Sequence, residues 1–317
     1  MNEFDLINRY FKRGAKCNTV TLGIGDDCSL VQIPQGQQLA ISVDTLVADV
    51  HFPANGDPEQ IAERALCVSL SDLAAMGARP LWFTLSLTLP NANEQWVGAF
   101  SAGLFRIASQ FGCELIGGDT TKGPLAISIQ VMGSVEPGKA FTRGGAEPGD
   151  RVYVTGNLGD GAAALAIMER RLKADSESAH YLNDRYYRPG PRFYEANALI
   201  GHVSAAIDIS DGLLADLGHI CNASQVGAEI FVESLPLSAA VLKCASTQQQ
   251  HQWALSGGDD YQLCFTVPQQ HVAAVEALID QGLKASVIGI VSREMGIKCS
   301  LLGESFATTT TGYNHFG

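Results

Sequence analysis

Carboxylates recur in this chain at positions where local chemistry opposes them, and that recurrence limits how it can fold. Gly23-Ile24-Gly25-Asp26-Asp27 sets two glycines before two adjacent aspartates. Glycine lets a backbone turn sharply and come close to a ligand. Paired carboxylates repel each other unless something positive holds them. Further acids stand near the ends of apolar runs or helices: Asp44, Asp72, Asp119, Asp208 with Asp211, and Asp259 with Asp260, most of them beside glycine or a small hydroxyl residue. A fold that gathers several of them needs cations. Mg²⁺ fits, because it takes carboxylates, water and substrate phosphates as oxygen ligands. Any one block also reads as a solvated acidic turn; their number points to a metal-held polyphosphate.

A chain of 317 residues exceeds one core of usual size, so two domains are expected. Turn-forming residues crowd 136–150, in Glu136-Pro137-Gly138, Arg143-Gly144-Gly145 and Pro148-Gly149-Asp150, which places the boundary between 1–148 and 149–317. The net charge of −12 argues against a nucleic-acid partner, which requires a basic footprint. No run approaches the roughly 18 apolar residues of a membrane span. The eight cysteines include no C-x-x-C pair, and the acidic start Met1-Asn2-Glu3-Phe4-Asp5 carries no apolar signal run. Reduced thiols and a cytoplasmic location are therefore expected.

Periodicity predicts a short amphipathic helix over 3–13, with Phe4, Ile7 and Phe11 on one face. A strand over Leu39–Asp44 is expected to end at Asp44. Asp57-Pro58-Glu59-Gln60 has the chemistry of a helix start, and that helix runs past Ser71-Asp72 to about Gly77. The alternation of Phe83, Leu85, Leu87 and Leu89 predicts a half-buried antiparallel strand from Pro80. A helix follows over 94–111, then a strand over Glu114–Ile116 ending at Gly117-Gly118-Asp119-Thr120, and another over Leu125–Gly133. In the second half, strands are expected at 151–155, 205–209, 228–232, 261–267 and 286–291. Helices are expected at 162–171, before Gly201, and at 213–223, 238–245 and 270–281, with a polar stretch over 172–190. Mixed elements in both halves give an α/β (α+β) architecture.

The glycine-rich turns Gly117-Gly118 and Gly156–Gly161 are candidates to offer amides to phosphate, and Arg143 has the fork that pairs with phosphate. No G-x-x-x-x-G-K-[ST] loop, protein-kinase H-R-D set or G-x-S-x-G elbow is present. Asp208-Ile209-Ser210-Asp211 also reads as a cap for the helix at 213–223. Asp72, near a helix C-terminus, is an acid at the end where the macrodipole disfavours one.

Seven blocks occur in order: Gly23–Cys28, Ser42–Leu46, His51-Phe52, Ser69–Ala78, Gly117–Thr120, Asp208–Gly212 and Gly257–Tyr261. Together they resemble the bacterial thiamine-monophosphate kinase family of the aminoimidazole-ribonucleotide-synthetase-like superfamily, from about residue 4 to Gly312–Phe316. The resemblance implies ATP-dependent phosphorylation of thiamine monophosphate to thiamine diphosphate. It implies a homodimer joined through an N-terminal mixed sheet that forms a barrel, a C-terminal α/β domain and an active site in a cleft between domains. It assigns Asp27, Ser42, Val43 (through its backbone), Asp44, Asp72, Asp119, Asp208 and Asp211 to Mg²⁺. Gly118, Asp119, Arg143 and Ser210 go to ATP, and His51, Asp259 and Tyr313 to the substrate. The family usually carries glutamate where this chain has Asp259, and many relatives carry threonine where it has Val43. Two other readings stay open at this point: another ATP-dependent synthetase or cyclo-ligase of the superfamily, and a non-catalytic nucleotide-binding scaffold.

Overall fold

A computed structural model describes residues 3–13, 18–308 and 312. The chain divides into two compact units, one of residues 1–73 and 78–140, the other of 74–77 and 141–317. The Pro148-Gly149-Asp150 turn lies within the second.

The first unit starts with α1 (Glu3–Leu6), which continues as one wider turn over Ile7–Phe11. A small ladder of β1 (Val20–Leu22) and β2 (Leu30–Val31) follows. The main sheet holds β3 (Gln38–Val47), β4 (Arg79–Leu89), β5 (Glu114–Lys122) and β6 (Ala126–Val135) in the order β3-β6-β4-β5. It is mixed: β6 is antiparallel to β3 and β4, and β5 is parallel to β4. Helices α2 (Pro58–Ala75) and α3 (Glu94–Phe111) supply the rest of the core. Asp57 opens α2 by accepting the Glu59 amide at 2.8 Å.

Strand register sorts the side chains. Ser42, Asp44 and Leu46 lie in the rows of Val131, Ile129 and Ile127, and these in the rows of Phe83, Leu85 and Leu87. The apolar members of those rows are buried, so this is the core face. The opposite face of β3 sends Leu39, Ile41 and Val43 outward, with Val43 62% exposed. Two sequence expectations change here. Asp44 lies inside β3, three residues before its end. Gly117–Thr120 lies within β5, because a parallel partner continues the strand through the glycines. The expected alternation of β4 holds from Phe83 to Leu89, where Thr84, Ser86 and Thr88 lie on the more exposed face.

The second unit is built on a seven-stranded sheet in the order β13-β12-β9-β11-β7-β10-β8. Its elements are β7 (Arg151–Thr155), α4 (Asp160–Met168), α5 (Ser176–Tyr187), α6 (Phe193–Leu199), β8 (Ala205–Asp208), α7 (Leu213–Ser224), β9 (Gly227–Phe231), α8 (Ala239–Cys244), α9 (Thr247–Ser256), β10 (Leu263–Val267), α10 (Val272–Asp280), β11 (Ala285–Ser292), β12 (Gly296–Leu301) and β13 (Glu304–Ser305). Every neighbouring pair is antiparallel except β9 with β12. Val152 and Val154 face a core closed by Leu213, Leu217 and Ile220 of α7 and Leu255 of α9. Tyr153 faces the other way, into a core with Leu199 of α6 and Val275 of α10. A sheet covered on both faces explains strands that read as unbroken apolar runs. The polar stretch 172–190 contains α5, whose buried side consists of Ser178, Leu182, Tyr186 and Tyr187. Helix α9 and strand β12 were not expected. Among the described residues, no helix is long and apolar enough to cross a membrane.

Two helical glycines differ sharply in surroundings. A Cβ on Gly103 of α3 would lie 2.2 Å from the Glu59 carbonyl oxygen of α2, whereas nothing lies within 4 Å of one on Gly218 of α7. Gly103→Ala is expected to destabilise by about 1–3 kcal/mol through forced separation of the helices. Gly218→Ala is expected to stabilise by about 0.5–1 kcal/mol. Urea unfolding of the two variants beside the parent chain checks both signs.

Candidate active site

The first unit carries two groups of candidate residues, one at each edge of its sheet. At the β3 edge, Ser42 and Asp44 are alternate residues and so project from the same face. The Ser42 hydroxyl donates to Asp72 Oδ2 across to α2. The Asp44 carboxyl is pushed up to about 6, chiefly by burial and then by the negative charge of Asp72, while a hydrogen bond with Ser69 pulls it back. Ser69, one turn before Asp72 on α2, also donates to the Ala65 carbonyl at 3.1 Å. Val43 points its side chain to the outward face, so only its main chain shares this side.

At the β5 edge lie Gly118, Asp119 and the Gly23–Asp27 loop. Asp26 Oδ1 accepts the amide of Asp27 at 3.0 Å, so Asp26 shapes the turn and leaves the exposed Asp27 as the candidate ligand. Ile24 of this loop borders a 40 Å³ recess with Ile7, Phe11, Gly118 and Asp119. Ser29 ties the segment further to β5 through the Ile116 carbonyl. Gly118 is required where it stands: at φ 155° its Cβ would lie 1.9 Å from the Leu85 carbonyl oxygen.

These two groups do not meet within the unit. Asp44, Ile129, Leu85 and Gly118 form one row across the sheet. Three strand spacings along that row come to about 14 Å. Asp119 falls in the next row, with Ser86, Ser128 and Thr45, on the outward face. Among the described residues, no three carboxylates, histidines or cysteines gather tightly enough to hold a metal ion.

His51 lies beyond β3. Its Nδ1 accepts the Val47 amide at 3.0 Å, which leaves the neutral ring proton on Nε2. Its carbonyl accepts from Nε of the buried Arg64 at 3.2 Å.

In the second unit, Asp208 ends β8 opposite Leu263 of β10. The pairing continues into the loops beyond: Ile209 donates to Gln262 at 2.8 Å, Tyr261 to Ile209 at 2.7 Å and Asp259 to Ser210 at 2.9 Å. Asp259 and Tyr261 both adopt left-handed backbone, at φ 69° and 49°, conformations that persist where the surroundings enforce them. Tyr261 Oη donates to Asp259 Oδ1 at 3.3 Å. The Ser210-Asp211 segment does not cap α7 with a side chain; Gly212 is the N-cap.

Two buried acids brace this region: Asp216, to which the sequence reading gives no role, and Asp260, which that reading groups with the acids that call for a cation. Asp216 accepts the amides of Ser210, Asp211 and Gly212. Its carboxyl is pushed up to about 7 by burial against the opposing pull of those amides. Asp260 accepts Gly159 N–H at 2.7 Å and Gly161 N–H at 3.1 Å. Burial pushes it up to about 8. The amides of Gly159 and Gly161 therefore serve an internal carboxylate and are not offered to a phosphate. For Asp216 the signal that was available is an acid in the first turn of a helix behind a glycine loop, where amides converge.

Arg143 is exposed. Its carbonyl accepts from Ser224 Oγ at 3.1 Å, and Gly145 and Ala146 donate to the same hydroxyl. Ser224 ends the 12-residue α7, whose start adjoins Ser210. The two positions are thus about 18 Å apart along the helix. Tyr313 lies outside the described residues.

Residues 25–135 match the AIR synthase related protein N-terminal domain, and 147–300 match the corresponding C-terminal domain. The chain is 49% identical to the thiamine-monophosphate kinase of Escherichia coli K12 over 318 residues, covering 99% of this chain and 98% of that one. It is similar to the crystal structure of thiamine-monophosphate kinase from Stenotrophomonas maltophilia K279a, with a TM-score of 0.85 and 41% identity over 92% of this chain and 93% of that one. It is also similar to a structure of AaThiL complexed with AMPPCP and TMP, with a TM-score of 0.78 and 31% identity over 92% of each chain.

The raised Asp260 carboxyl makes a pH prediction. The folded state keeps its proton above the pH at which the unfolded chain has lost it, so Asp260 erodes stability as pH climbs from about 4 toward 8. Asp260→Asn removes that slope. The variant's stability relative to the parent is expected to improve with rising pH, by about 1 kcal/mol per unit between pH 5 and 7. Urea midpoints across that range test this; a relative stability that stays flat with pH marks an Asp260 that folds ionised.

Proposed function

Because the chain belongs to the thiamine-monophosphate kinases of the AIR synthase related family, we infer that it transfers the γ-phosphoryl group of ATP to thiamine monophosphate, giving thiamine diphosphate and ADP. The observation that carries the chemical reading is the Ser42–Asp44–Ser69–Asp72 group. It is built entirely from oxygen donors, and its two carboxylates are close enough for one to raise the other. An oxygen-only set under like-charge strain fits Mg²⁺.

In this reading Asp27, Asp44, Asp72, Asp119, Asp208 and Asp211 hold Mg²⁺, with the Ser42 hydroxyl and the Val43 main chain. When bound, Mg²⁺ neutralises charge on the triphosphate and on the incoming phosphate. The transfer forms a bond from a phosphate oxygen of thiamine monophosphate to the γ-phosphorus and breaks the bond to the β,γ-bridging oxygen, which leaves on ADP. The nucleophile is already an anion, so no side chain is needed as general base. The chain's work is positioning and charge balance. Ser42 orients Asp72. Gly118, Asp119, Arg143 and Ser210 hold ATP, and His51 with its Nε2 proton, Asp259 and Tyr313 hold the acceptor. Asp259 complements the cationic thiazolium of thiamine.

We further infer a homodimer that completes the site. The β3 and β5 residues lie at opposite sheet edges, and β3 exposes Leu39, Ile41 and Val43 along an edge that carries Asp44. A second copy on this face buries the apolar stripe and brings Asp119 of one subunit to Asp44 of the other. The described cysteines form no disulfide, which suits a cytoplasmic setting.

Two measurements test this. ADP release is expected to require thiamine monophosphate and Mg²⁺ together; release independent of the acceptor removes the kinase reading. Asp44→Asn and Asp119→Asn are each expected to cut turnover by about 100-fold or more. Mixed and re-equilibrated, they are expected to regain activity, because one site of each heterodimer then carries neither substitution. No regain places both aspartates in one subunit's site.

A further inference from the structure

The Ser210–Gly212 loop is fixed by a carboxylate outside every sequence block. Asp216 stands in the first turn of α7, 3% exposed, and turns back so that its Oδ2 lies 3.1 Å from each of the amides of Ser210, Asp211 and Gly212. Three amides converging on one oxygen form an anion nest, here filled from within the chain. The opposite side of the loop is closed by the Asp259 amide on the Ser210 carbonyl and the Tyr261 amide on that of Ile209. Gly212, at φ 116°, leaves no room for relaxation: a Cβ there would lie 2.8 Å from the Ser256 carbonyl carbon. The loop is therefore bracketed on both sides of its backbone, with Asp216 holding its amides.

We propose that Asp216 is a positioning residue for phosphoryl transfer, acting through Ser210 and Asp211 to fix where their hydroxyl and carboxylate meet Mg²⁺-bound nucleotide. The proposal rests on the reading of those two residues as nucleotide and metal contacts. A purely structural start to α7 makes a different prediction, since it affects stability without altering nucleotide affinity. The useful distinction among variants is acceptor position. Asp216→Asn retains an oxygen at the nest, Asp216→Glu retains the charge but moves the oxygen by a methylene, and Asp216→Ala removes it.

Binding of Mg²⁺ with AMPPCP is measured by titration calorimetry on the full-length chain, with thermal melts and the KM for thiamine monophosphate alongside. Asp216→Ala and Asp216→Glu are expected to weaken nucleotide binding by about tenfold or more. Asp216→Asn is expected to stay within about threefold, and all three to keep the KM for thiamine monophosphate. A folded Ala or Glu variant that binds like the parent overturns the proposal, and so does failure of both to fold, which marks a structural residue. Ser210→Ala and Asp211→Ala separate the two levels. If neither weakens binding, the loop is not part of the site and the underlying reading fails. If they weaken it and Asp216→Ala does not, positioning alone fails.

Discussion

The repulsion between Asp44 and Asp72 is the constraint on which the first unit's site depends. Neither carboxylate is placed by chance of surface chemistry. Asp44 is on the core face of β3 by strand alternation, and α2 is long enough to bring Ser69 and Asp72 over it. Burial and a neighbouring anion both raise the energy of the ionised Asp44, and a hydrogen bond with Ser69 relieves only part of it. A divalent cation turns this repulsion into attraction. The alternation that places Asp44 inward also places Leu39, Ile41 and Val43 outward, so one strand sets up both a buried carboxylate beside Asp72 and an apolar surface.

The second unit solves the reverse problem. Its loops after β7 and β8 present amides, and each set is satisfied by a buried aspartate from the chain itself, Asp260 for the first and Asp216 for the second. Internal carboxyl groups in backbone nests stiffen loops that otherwise carry strained conformations at Asp259 and Tyr261. The cost is two carboxyls forced up by burial, which the amides offset. Rigid loops of this kind suit a reaction whose catalysis is mostly placement.

The architecture and the site blocks were legible in the sequence because their signals are local. Alternation marked β3 and β4, and the Asp57-Pro58 start marked α2. Other features depend on neighbours. Gly117-Gly118 looks like a break until a parallel partner is known: Gly118 is in the strand because the Leu85 carbonyl approaches it too closely for any side chain. Helix α5 was hidden because its buried face uses Tyr186, Tyr187 and Ser178 alongside a single leucine, a pattern that periodicity of apolar residues does not catch. Asp216 reads as an ordinary surface acid and Asp260 as one of the cation-holding acids, since nothing in a sequence shows that amides converge on them. The separation of Asp44 from Asp119 was equally invisible, being a matter of strand order rather than strand pattern.

The account turns on Asp44 and Asp72 as the seat of a divalent cation. Crystals grown with Mn²⁺ and AMPPCP, measured at the manganese absorption edge, test it directly. The account predicts an anomalous peak within coordination distance of both carboxylates, with the Ser42 hydroxyl redirected from Asp72. Peaks confined to the nucleotide phosphates, with the Ser42–Asp72 hydrogen bond intact, would contradict it.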